Sequence, residues 1–328
     1  MSIIIWICLL ALATLFVAVI GLALFAEGTR RRVEREVPAD GRFIEAGGLR
    51  LHYVDSADSD PDALDRPALV LIHGLGGQLR NLTHSLSQRL TDEFRVVAMD
   101  RIGAGYSTRP GGGGATLPEH AAAVAALIEA LKLDRPVLVG HSMGGAVSLA
   151  TALDHPSSIR GAVLVAPLTA ASEKVPEVFG ALALRNDVAR KLVAHTAAVP
   201  ISIRNGEKTL AFVFKPEPVP DDFRLRGGGL LSLRPGNFRS TSMDFTSLFD
   251  TMPSMVERYD ELEVPIAVII GTRDFLLDYR EHGVEQGERY GWDVQLLEGR
   301  GHMIPVTAPD EVAAYVARHA RQWFDAKS

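Results

Sequence analysis

Residues 136–153, PVLVGHSMGGAVSLATAL, carry the pattern that decides the fold. A short apolar run, Pro136–Val139, is followed by Gly140-His-Ser142-Met-Gly144 and then by a helical pattern. A strand, Gly-x-Ser-x-Gly and a helix in this order predict a tight turn with strained backbone angles at the serine, and glycine two positions away on either side avoids clashes. The turn places the hydroxyl at a helix N-terminus, where developing negative charge is favoured. Ser142 is therefore the candidate nucleophile.

Apolar runs of the same kind recur along the chain and alternate with helical stretches. Such runs are typical of strands that are buried on both faces of a sheet. The predicted strands are a hairpin of Arg42–Ala46 and Leu49–Val54 around Gly47-Gly48, followed by Pro67–His73, Phe94–Met99, Pro136–Val139, Ala162–Val165, Pro265–Ile270 and Val294–Leu297. The predicted helices include Leu117–Leu131, residues 143–153 and Asp310–Phe324. The alternation implies an α/β fold with a mostly parallel sheet covered by helices on both faces.

One long segment breaks this alternation. Between Pro167 and Pro265 no buried-strand pattern is found. The segment contains helical pieces over Val175–Val199, a proline-rich stretch over Lys215–Asp221 and a Gly/Arg-rich stretch over Arg224–Arg239. A structureless loop of that length is uncommon in a compact domain. We therefore interpret residues 168–262 as an inserted helical cap and residues 42–167 and 263–328 as the α/β core.

A serine hydroxyl needs a base to take its proton and an acid to orient that base. His302 lies just after the last predicted strand and before the final helix, and the order serine, acid, histidine along the chain is the one expected for this fold. Asp274 follows Pro265–Ile270 directly and is the first choice for the acid. Asp278 is the alternative, four residues further on.

An oxyanion formed on attack needs hydrogen-bond donors near the serine. The Met143 N–H is one candidate, and the second is expected from the loop after Pro67–His73. That loop is His73-Gly74-Leu75-Gly76-Gly77, in which we select the Leu75 N–H. His73 and Gly74 are interpreted as supporting this loop, His73 as its brace rather than a metal ligand.

The N-terminus predicts a membrane anchor. From Ile3 to Ala26 no residue is charged, which corresponds to about 36 Å of helix against about 30 Å of hydrocarbon. A cleaved signal peptide is the alternative, but the run is too long and nothing basic precedes it. Residues 1–28 are predicted to form the anchor, with membrane contact over residues 3–26, and residues 29–41 a polar linker. Arginines at positions 30–32 and 35 place the catalytic domain in the cytoplasm by the positive-inside rule.

Composition narrows the remaining function classes. The 328-residue chain has a formal net charge of −6, and beyond one short arginine run it lacks the clustered cations that nucleic-acid binding requires. Its single cysteine, Cys8, excludes an intramolecular disulfide. No His, Cys or carboxylate cluster has metal-ligand spacing, so neither a metal nor another cofactor is expected. The oligomeric state stays open.

The motifs together resemble those of the α/β-hydrolase superfamily. They are HGLGG at 73–77, DRIGAGYS at 100–107, GHSMGG at 140–145, GTRD at 271–274 and GHMIP at 301–305. The resemblance implies an eight-stranded α/β-hydrolase sheet and a serine esterase or lipase-like enzyme with a cap. The family also contains carbon–carbon bond hydrolases, proline iminopeptidases and cofactor-free haloperoxidases. Its epoxide hydrolases and haloalkane dehalogenases carry an aspartate where this sequence has Ser142.

The leading hypothesis is hydrolysis of a hydrophobic carboxylic ester, small to medium-sized or lipid-like, through an acyl-serine intermediate. Apolar residues in the predicted cap favour such a substrate, although they equally suit a cap with its own core: Leu182, Leu184, Phe212, Phe214, Leu230 and Leu231. One alternative is the same triad acting on carbon–carbon, amide or thioester bonds or as an acyltransferase. The other is a non-catalytic binding module tethered to the membrane.

Overall fold

Eight strands form a single sheet at the centre of the molecule. The computed structural model describes residues 3–111, 113–171 and 177–326, apart from the side chains of Glu177 and Val178. The strands are β1 (Arg42–Ala46), β2 (Leu49–Asp55), β3 (Ala68–Ile72), β4 (Arg95–Met99), β5 (Val137–His141), β6 (Gly161–Val165), β7 (Ile266–Gly271) and β8 (Asp293–Leu297). Each begins and ends within two residues of a predicted strand, so the α/β prediction is confirmed.

The strand order is β1-β2-β4-β3-β5-β6-β7-β8. β1 pairs antiparallel with β2, and β2 pairs antiparallel with β4, whereas every later pair is parallel. Every residue of β3, β5, β6 and β7 is buried. Successive side chains of a strand point to opposite faces, so both faces of the sheet are covered. The carboxyl ends of the parallel strands share one edge, where ligand sites of open α/β sheets lie.

Helices follow most strands of the core. They are α2 (Arg80–Thr83), α3 (Leu117–Ala130), α4 (Met143–Asp154), α8 (Glu285–Tyr290), α9 (Ile304–Thr307) and α10 (Pro309–Asp325). Thr116 begins α3 with a capping box, in which its hydroxyl accepts from the Glu119 N–H and the Glu119 carboxylate accepts from the Thr116 N–H. The three predicted core helices correspond to α3, α4 and α10.

Between β6 and β7 the described residues form helices and no strand. They are a 3₁₀ turn (Glu177–Leu182), α5 (Asp187–His195), α6 (Ala198–Phe214), a 3₁₀ turn (Gly229–Leu233), α7 (Pro235–Val256) and a 3₁₀ turn (Tyr259–Glu261). We call residues 177–262 the cap segment.

Two details of the predicted cap are wrong. The helical stretch was expected to end at Val199, yet α6 begins at Ala198 and runs through Pro200, which lies in its first turn where no intrahelical N–H bond is lost. The beginning of that predicted stretch, from Val175, lies partly outside the described residues. α7 was not predicted, since the sequence after Arg239 is rich in Ser and Thr, which are indifferent helix formers.

The N-terminal helix α1 (Ile3–Glu36) corrects the predicted linker over 29–41. Opposite charges three and four residues apart continue the helix past the apolar run: Arg30 pairs with Glu27 and Glu34, and Arg32 pairs with Glu36. Only residues 37–41 connect α1 to β1. Within the described part of the chain, α1 is the one helix that is long and apolar enough to cross a bilayer.

Candidate active site

Ser142 occupies the tight turn between β5 and α4. Its backbone angles are φ 55° and ψ −122°, a conformation that is costly for a residue with a side chain. The backbone around the turn is closely packed, because a Cβ on Gly140 would lie 2.3 Å from the Gly144 carbonyl oxygen. A Cβ on Gly144 would lie 2.1 Å from the Ile72 carbonyl oxygen. Glycine is therefore required at both positions that the Gly-x-Ser-x-Gly pattern specifies.

His302 and Asp274 form a hydrogen-bonded pair beside this turn. His302 Nδ1 lies 2.7 Å from Asp274 Oδ2. The other carboxylate oxygen of Asp274 accepts from the Leu276 and Leu277 N–H groups at 2.8 and 3.0 Å, which fixes the carboxylate plane. The side chains of both residues are buried, 5% exposed for His302 and 0% for Asp274. With Nδ1 bonded to Asp274, Nε2 is the ring nitrogen left to act on a substrate or on Ser142.

Asp278, the alternative acid, has a different role. Its carboxylate accepts from the Arg280 N–H at 2.9 Å, at the start of a π-helical turn over Arg280–Val284. This bond is local and satisfies a helix N-terminus. The structure therefore pairs His302 with Asp274 and leaves Asp278 as a cap for the turn.

The loop that follows β3 touches the serine turn. A Cβ on Gly74 would lie 2.9 Å from Ser142 Cβ, so the absence of a side chain permits this approach. The Leu75 and Met143 amides donate no hydrogen bond to any described residue. Met143 is the first residue of α4, where the N–H has no intrahelical acceptor. Two free N–H groups next to Ser142 provide the kind of donors that stabilise an oxyanion.

The side chain of His73 supports this loop through hydrogen bonds. Its Nδ1 donates to the Gly74 carbonyl at 2.9 Å, and its Nε2 accepts from the Arg101 N–H at 3.1 Å. Burial, followed by the nearby Arg101 charge, lowers the pKa of His73 to about 3. The imidazole is therefore neutral and keeps the tautomer that both bonds require. The two bonds connect the His73 ring to the Gly74 carbonyl and to the backbone of Arg101.

Arg101 is a supporting residue that the sequence analysis did not single out. Its buried guanidinium donates to the His73 and Gly74 carbonyls, each at 3.0 Å, and so holds the loop that bears Leu75. The same guanidinium donates to Asp244 Oδ2 at 2.9 Å, across 143 residues of chain. Asp244 lies on α7, so this bond connects the cap segment to the loop beside Ser142.

Asp244 is the centre of a buried charge cluster. Its other oxygen accepts from Arg109 and lies 3.4 Å from His120 Nε2. Burial raises the pKa of Asp244, but His120 and the two guanidinium groups outweigh burial and hold it well below its usual range. Arg101 stood in the DRIGAGYS motif and could have been noticed there. No sequence signal identifies Asp244 as its partner.

Two further histidines surround the site. His141 Nε2 donates to the His302 carbonyl at 3.1 Å, and the two rings lie 4.9 Å apart. Burial, followed by the His302 charge, lowers the pKa of His141 to about 3. His282 lines the same cavity, and its Nδ1 accepts from the Thr169 and Ala170 N–H groups at 3.2 and 3.3 Å. Both histidines position backbone next to the reacting groups.

A cavity of about 1910 Å³ connects Ser142 with the cap segment. Ser142, Asp274, His302, Leu75 and Met143 all line it. Typical small-ligand pockets measure about 300–1000 Å³, so this space suits a larger ligand. Four of the six apolar residues proposed from the sequence line it, namely Leu182, Phe212, Phe214 and Leu230. Leu231 packs against Val33 and Val37 of the N-terminal segment instead.

A family model described as the alpha/beta hydrolase fold matches residues 67–309. The chain belongs to this family. The match includes β3 to β8, the serine turn, Asp274 and His302, together with the whole cap segment. The α/β-hydrolase thus carries additional sequence only at its ends, where α1 and the β1–β2 hairpin precede the match.

Known relatives of this α/β-hydrolase differ in their activities. Haloalkane dehalogenase 2 from Mycobacterium tuberculosis is 35% identical over 132 residues, which cover 39% of this chain and 42% of that enzyme. The 2-hydroxy-6-oxo-2,4-heptadienoate hydrolase from Pseudomonas putida is 35% identical over 127 residues, which cover 38% of this chain and 44% of that enzyme. The chain thus matches less than half the length of these curated relatives. They support a hydrolase and do not select a substrate.

One solved structure matches almost the whole chain, including its N-terminal helix. It is the crystal structure of a membrane phospholipase A, described as a bacterial virulence factor, and it aligns with a TM-score of 0.67 at 23% identity. The alignment covers 98% of each chain. At this identity the likeness shows the fold alone.

Proposed function

We propose that this α/β-hydrolase is a serine hydrolase that is tethered to the membrane by α1 and cleaves the carboxylic ester of a hydrophobic, lipid-like substrate. The observation that carries the proposal is the position of Ser142, on a strained turn beside the Asp274–His302 pair and two unpaired amides, within one cavity. A serine at this turn suits acyl transfer, because its alkoxide forms an ester with an acyl group that water can later hydrolyse.

In the proposed reaction Ser142 Oγ attacks the ester carbonyl while His302 Nε2 takes the hydroxyl proton. Asp274 keeps His302 in the required tautomer and stabilises the imidazolium. The Leu75 and Met143 N–H groups bind the oxyanion of the tetrahedral intermediate. The carbon–oxygen bond to the alcohol breaks as His302 returns the proton to the leaving oxygen. Water then attacks the acyl-serine by the same route and releases the acid.

Three features support a lipid-like ester. The cavity exceeds the usual size for small ligands, and its cap side is lined by aromatic and aliphatic residues such as Phe212, Phe245 and Phe249. The apolar helix α1 would keep the enzyme at a bilayer. The structural neighbour that aligns with 98% of the chain is a membrane phospholipase A, and a phospholipid acyl ester is therefore the first natural substrate to test. We retain the cytoplasmic orientation predicted by the arginines that follow the apolar run.

The experiment uses the full chain in detergent micelles with p-nitrophenyl esters of increasing acyl length and with a phospholipid. Ser142→Ala is the test variant, and Ser254→Ala is the matched control because Ser254 is exposed on α7. We expect turnover that rises toward longer acyl chains, is unchanged in the control and is lost in Ser142→Ala. Ester turnover that survives Ser142→Ala would refute the acyl-serine mechanism.

If no ester is cleaved, labelling with a fluorophosphonate separates the remaining possibilities. Labelling that requires Ser142 would mean a working serine hydrolase for another acyl bond, such as an amide, a thioester or a carbon–carbon bond, or an acyltransferase. A folded protein that is not labelled would be a binding module.

A further inference from the structure

One stripe of α1 packs against the rest of the protein. The residues with reduced exposure recur every three or four positions, which is the spacing of a single helix face. The stripe is formed by Val19, Ala23, Ala26, Arg30 and Val33, with partly buried Glu27, Thr29 and Glu34 beside it, and Val37 follows just beyond the helix end. α1 contacts α5, α6, α7 and the 3₁₀ turn Gly229–Leu233, all in the cap segment. A carboxylate oxygen of Glu34 also lies 3.5 Å from a guanidinium nitrogen of Arg234. The cap segment is therefore held against the anchor helix.

The packed stripe overlaps the apolar part of α1. It begins at Val19, whereas the uncharged run extends to Ala26, so the overlap is about 10 Å at about 1.5 Å per residue. The whole run of about 36 Å exceeds a hydrocarbon core of about 30 Å by only about 6 Å. If α1 spans the bilayer, part of the cap segment must therefore lie at the depth of the lipid.

The two cap helices beside α1 expose apolar side chains. Val188 and Leu192 on α5 are 75% and 54% exposed, and Ile201 and Ile203 on α6 are 52% and 46% exposed. Val188 and Leu192 share one side of α5, whereas Ile201 and Ile203, two residues apart, lie on opposite flanks of the exposed side of α6. We call the surface that carries these four residues the bilayer face. Exposed Lys191, Arg204 and Lys208 lie on the same helices, as does exposed Glu207, whose carboxylate lies 3.7 Å from the Arg224 guanidinium. Apolar side chains among cations are typical of a helix surface that rests in the headgroup region.

The bilayer face adjoins the entrance of the cavity. Ile201 belongs to this face, and it also lines the cavity that contains Ser142. Ser202, the next residue, and Asn205, one turn along α6, line it as well. The cavity that contains Ser142 therefore reaches the protein surface at α6, where Ile201 is half exposed.

We propose that the bilayer face lies in the headgroup–acyl boundary of the membrane that α1 spans, and that the cavity opens there to admit the acyl chain of a membrane lipid. The inference rests on the proposed membrane tether and identifies the route of the proposed substrate. Such an entrance keeps the acyl chain out of water throughout, so its transfer from the bilayer costs little hydrophobic free energy.

The test measures lipid contact in the full chain. Cys8 is the only cysteine, so Cys8→Ala in a Ser142→Ala background allows one cysteine to be placed at will. Leu192→Cys and Ile203→Cys are the test sites, and Leu64→Cys is the control because Leu64 is 59% exposed on the core between β2 and β3. Each protein is labelled with an environment-sensitive fluorophore and reconstituted into phosphatidylcholine–phosphatidylglycerol vesicles with spin-labelled acyl chains.

We expect strong quenching of the Leu192 and Ile203 labels by the spin-labelled lipid and none at Leu64. Equal, weak quenching at all three sites would overturn the proposal. A label that is shielded from water but not quenched by lipid would also overturn it, because a second protein would then cover the face. The inactive background makes this measurement independent of ester hydrolysis, so its failure is distinguishable from failure of the proposed function.

A second measurement uses activity. Leu192→Asp with Ile203→Asp should lower hydrolysis of vesicle phospholipid by about tenfold or more, because charge opposes insertion of the face. Hydrolysis of a water-soluble ester should be unchanged and reports that the variant is folded. Loss of both rates to the same extent would contradict an interfacial role. Leu64→Asp is the matched control and should leave both rates unchanged.

Discussion

The two sides of the cavity are built in different ways. On the core side, backbone packs so closely that a single Cβ at Gly140 or Gly144 would come within 2.3 Å of a carbonyl oxygen. On the cap side, α7 is attached through a buried ion cluster around Asp244, while α5 and α6 expose apolar side chains. The chemistry is therefore fixed by local geometry, whereas access and specificity depend on contacts between distant parts of the chain.

The largest effect should come from the acid on the core side. Asp274→Asn preserves the shape but allows the wrong His302 tautomer, so we expect kcat for ester hydrolysis to fall by about 10⁴-fold. Steady-state kinetics on a p-nitrophenyl ester measure the change. Asp278→Asn is the matched control, since the Asp278 carboxylate accepts from the Arg280 N–H. A loss of similar size in Asp278→Asn would show that the acid is misassigned.

The ion cluster tests how tightly the cap side is coupled to the core side. Asp244→Asn leaves Arg101 and Arg109 buried without a counter-charge, which should reduce the free energy of unfolding by about 3–5 kcal/mol. Because Arg101 also holds the Gly74 carbonyl, kcat should fall more than KM changes. Thermal unfolding and kinetics in detergent measure the two effects.

Asp250 provides the control on the same helix. Its ion pair with Arg185 is exposed, with both side chains about 60% accessible, so Asp250→Asn should cost less than about 1 kcal/mol. Equal destabilisation by both variants would mean that burial of the Asp244 cluster does not matter. If Asp244→Asn is destabilised but keeps a normal kcat, the ion cluster stabilises the fold without positioning the loop beside Ser142.

These two kinds of contact explain what the sequence could predict. Three parts of the site lie directly after a buried strand: the serine turn, the Leu75 loop and Asp274. A short motif therefore indicated both where the strand ends and which residue follows it. The central strands β3 to β7 followed from their apolar runs because a sheet covered on both faces demands them, whereas the β1–β2 hairpin followed from its Gly47-Gly48 turn. α7 escaped prediction, since its Ser- and Thr-rich sequence is stabilised by tertiary packing rather than by propensity. The Arg101–Asp244 pair escaped because no local pattern joins residues 143 positions apart.

The close packing of the core side can be tested by one methyl group. Gly144→Ala places a Cβ 2.1 Å from the Ile72 carbonyl oxygen, which must displace the strand or the turn. We expect a loss of about 1–3 kcal/mol in stability and a marked drop in kcat. Gly236→Ala on α7 meets no atom within 4 Å and should be neutral or slightly stabilising. Thermal unfolding of the two variants gives the comparison directly, and equal midpoints would contradict the packing argument.

The buried histidines make the stability of the core side depend on pH at higher pH values than Asp244 on the cap side does. Burial and then Arg101 lower the pKa of His73 to about 3, against about 6.5 when unfolded, so the unfolded chain binds a proton that the folded chain excludes. The stabilisation is complete above about pH 6.5 and is lost as the pH falls toward 3. Asp244, whose pKa is lowered, loses its contribution only below about pH 4. Between about pH 6.5 and 4.5 the change of stability with pH therefore reports the buried histidines and not Asp244.

As the pH is lowered through that window, the free energy of unfolding should decrease less steeply in His73→Gln than in the parent protein. The expected difference in slope is about 1 kcal/mol per pH unit, the contribution of one excluded proton. Glutamine can still donate to the Gly74 carbonyl, so the variant keeps part of the brace. His155→Gln is the control, because His155 is partly exposed at the end of α4. Thermal midpoints measured across the window compare the slopes. If His73→Gln and the parent protein lose stability in parallel, the charge excluded from the core side belongs to another group, with His141 and its pKa of about 3 as the next to substitute.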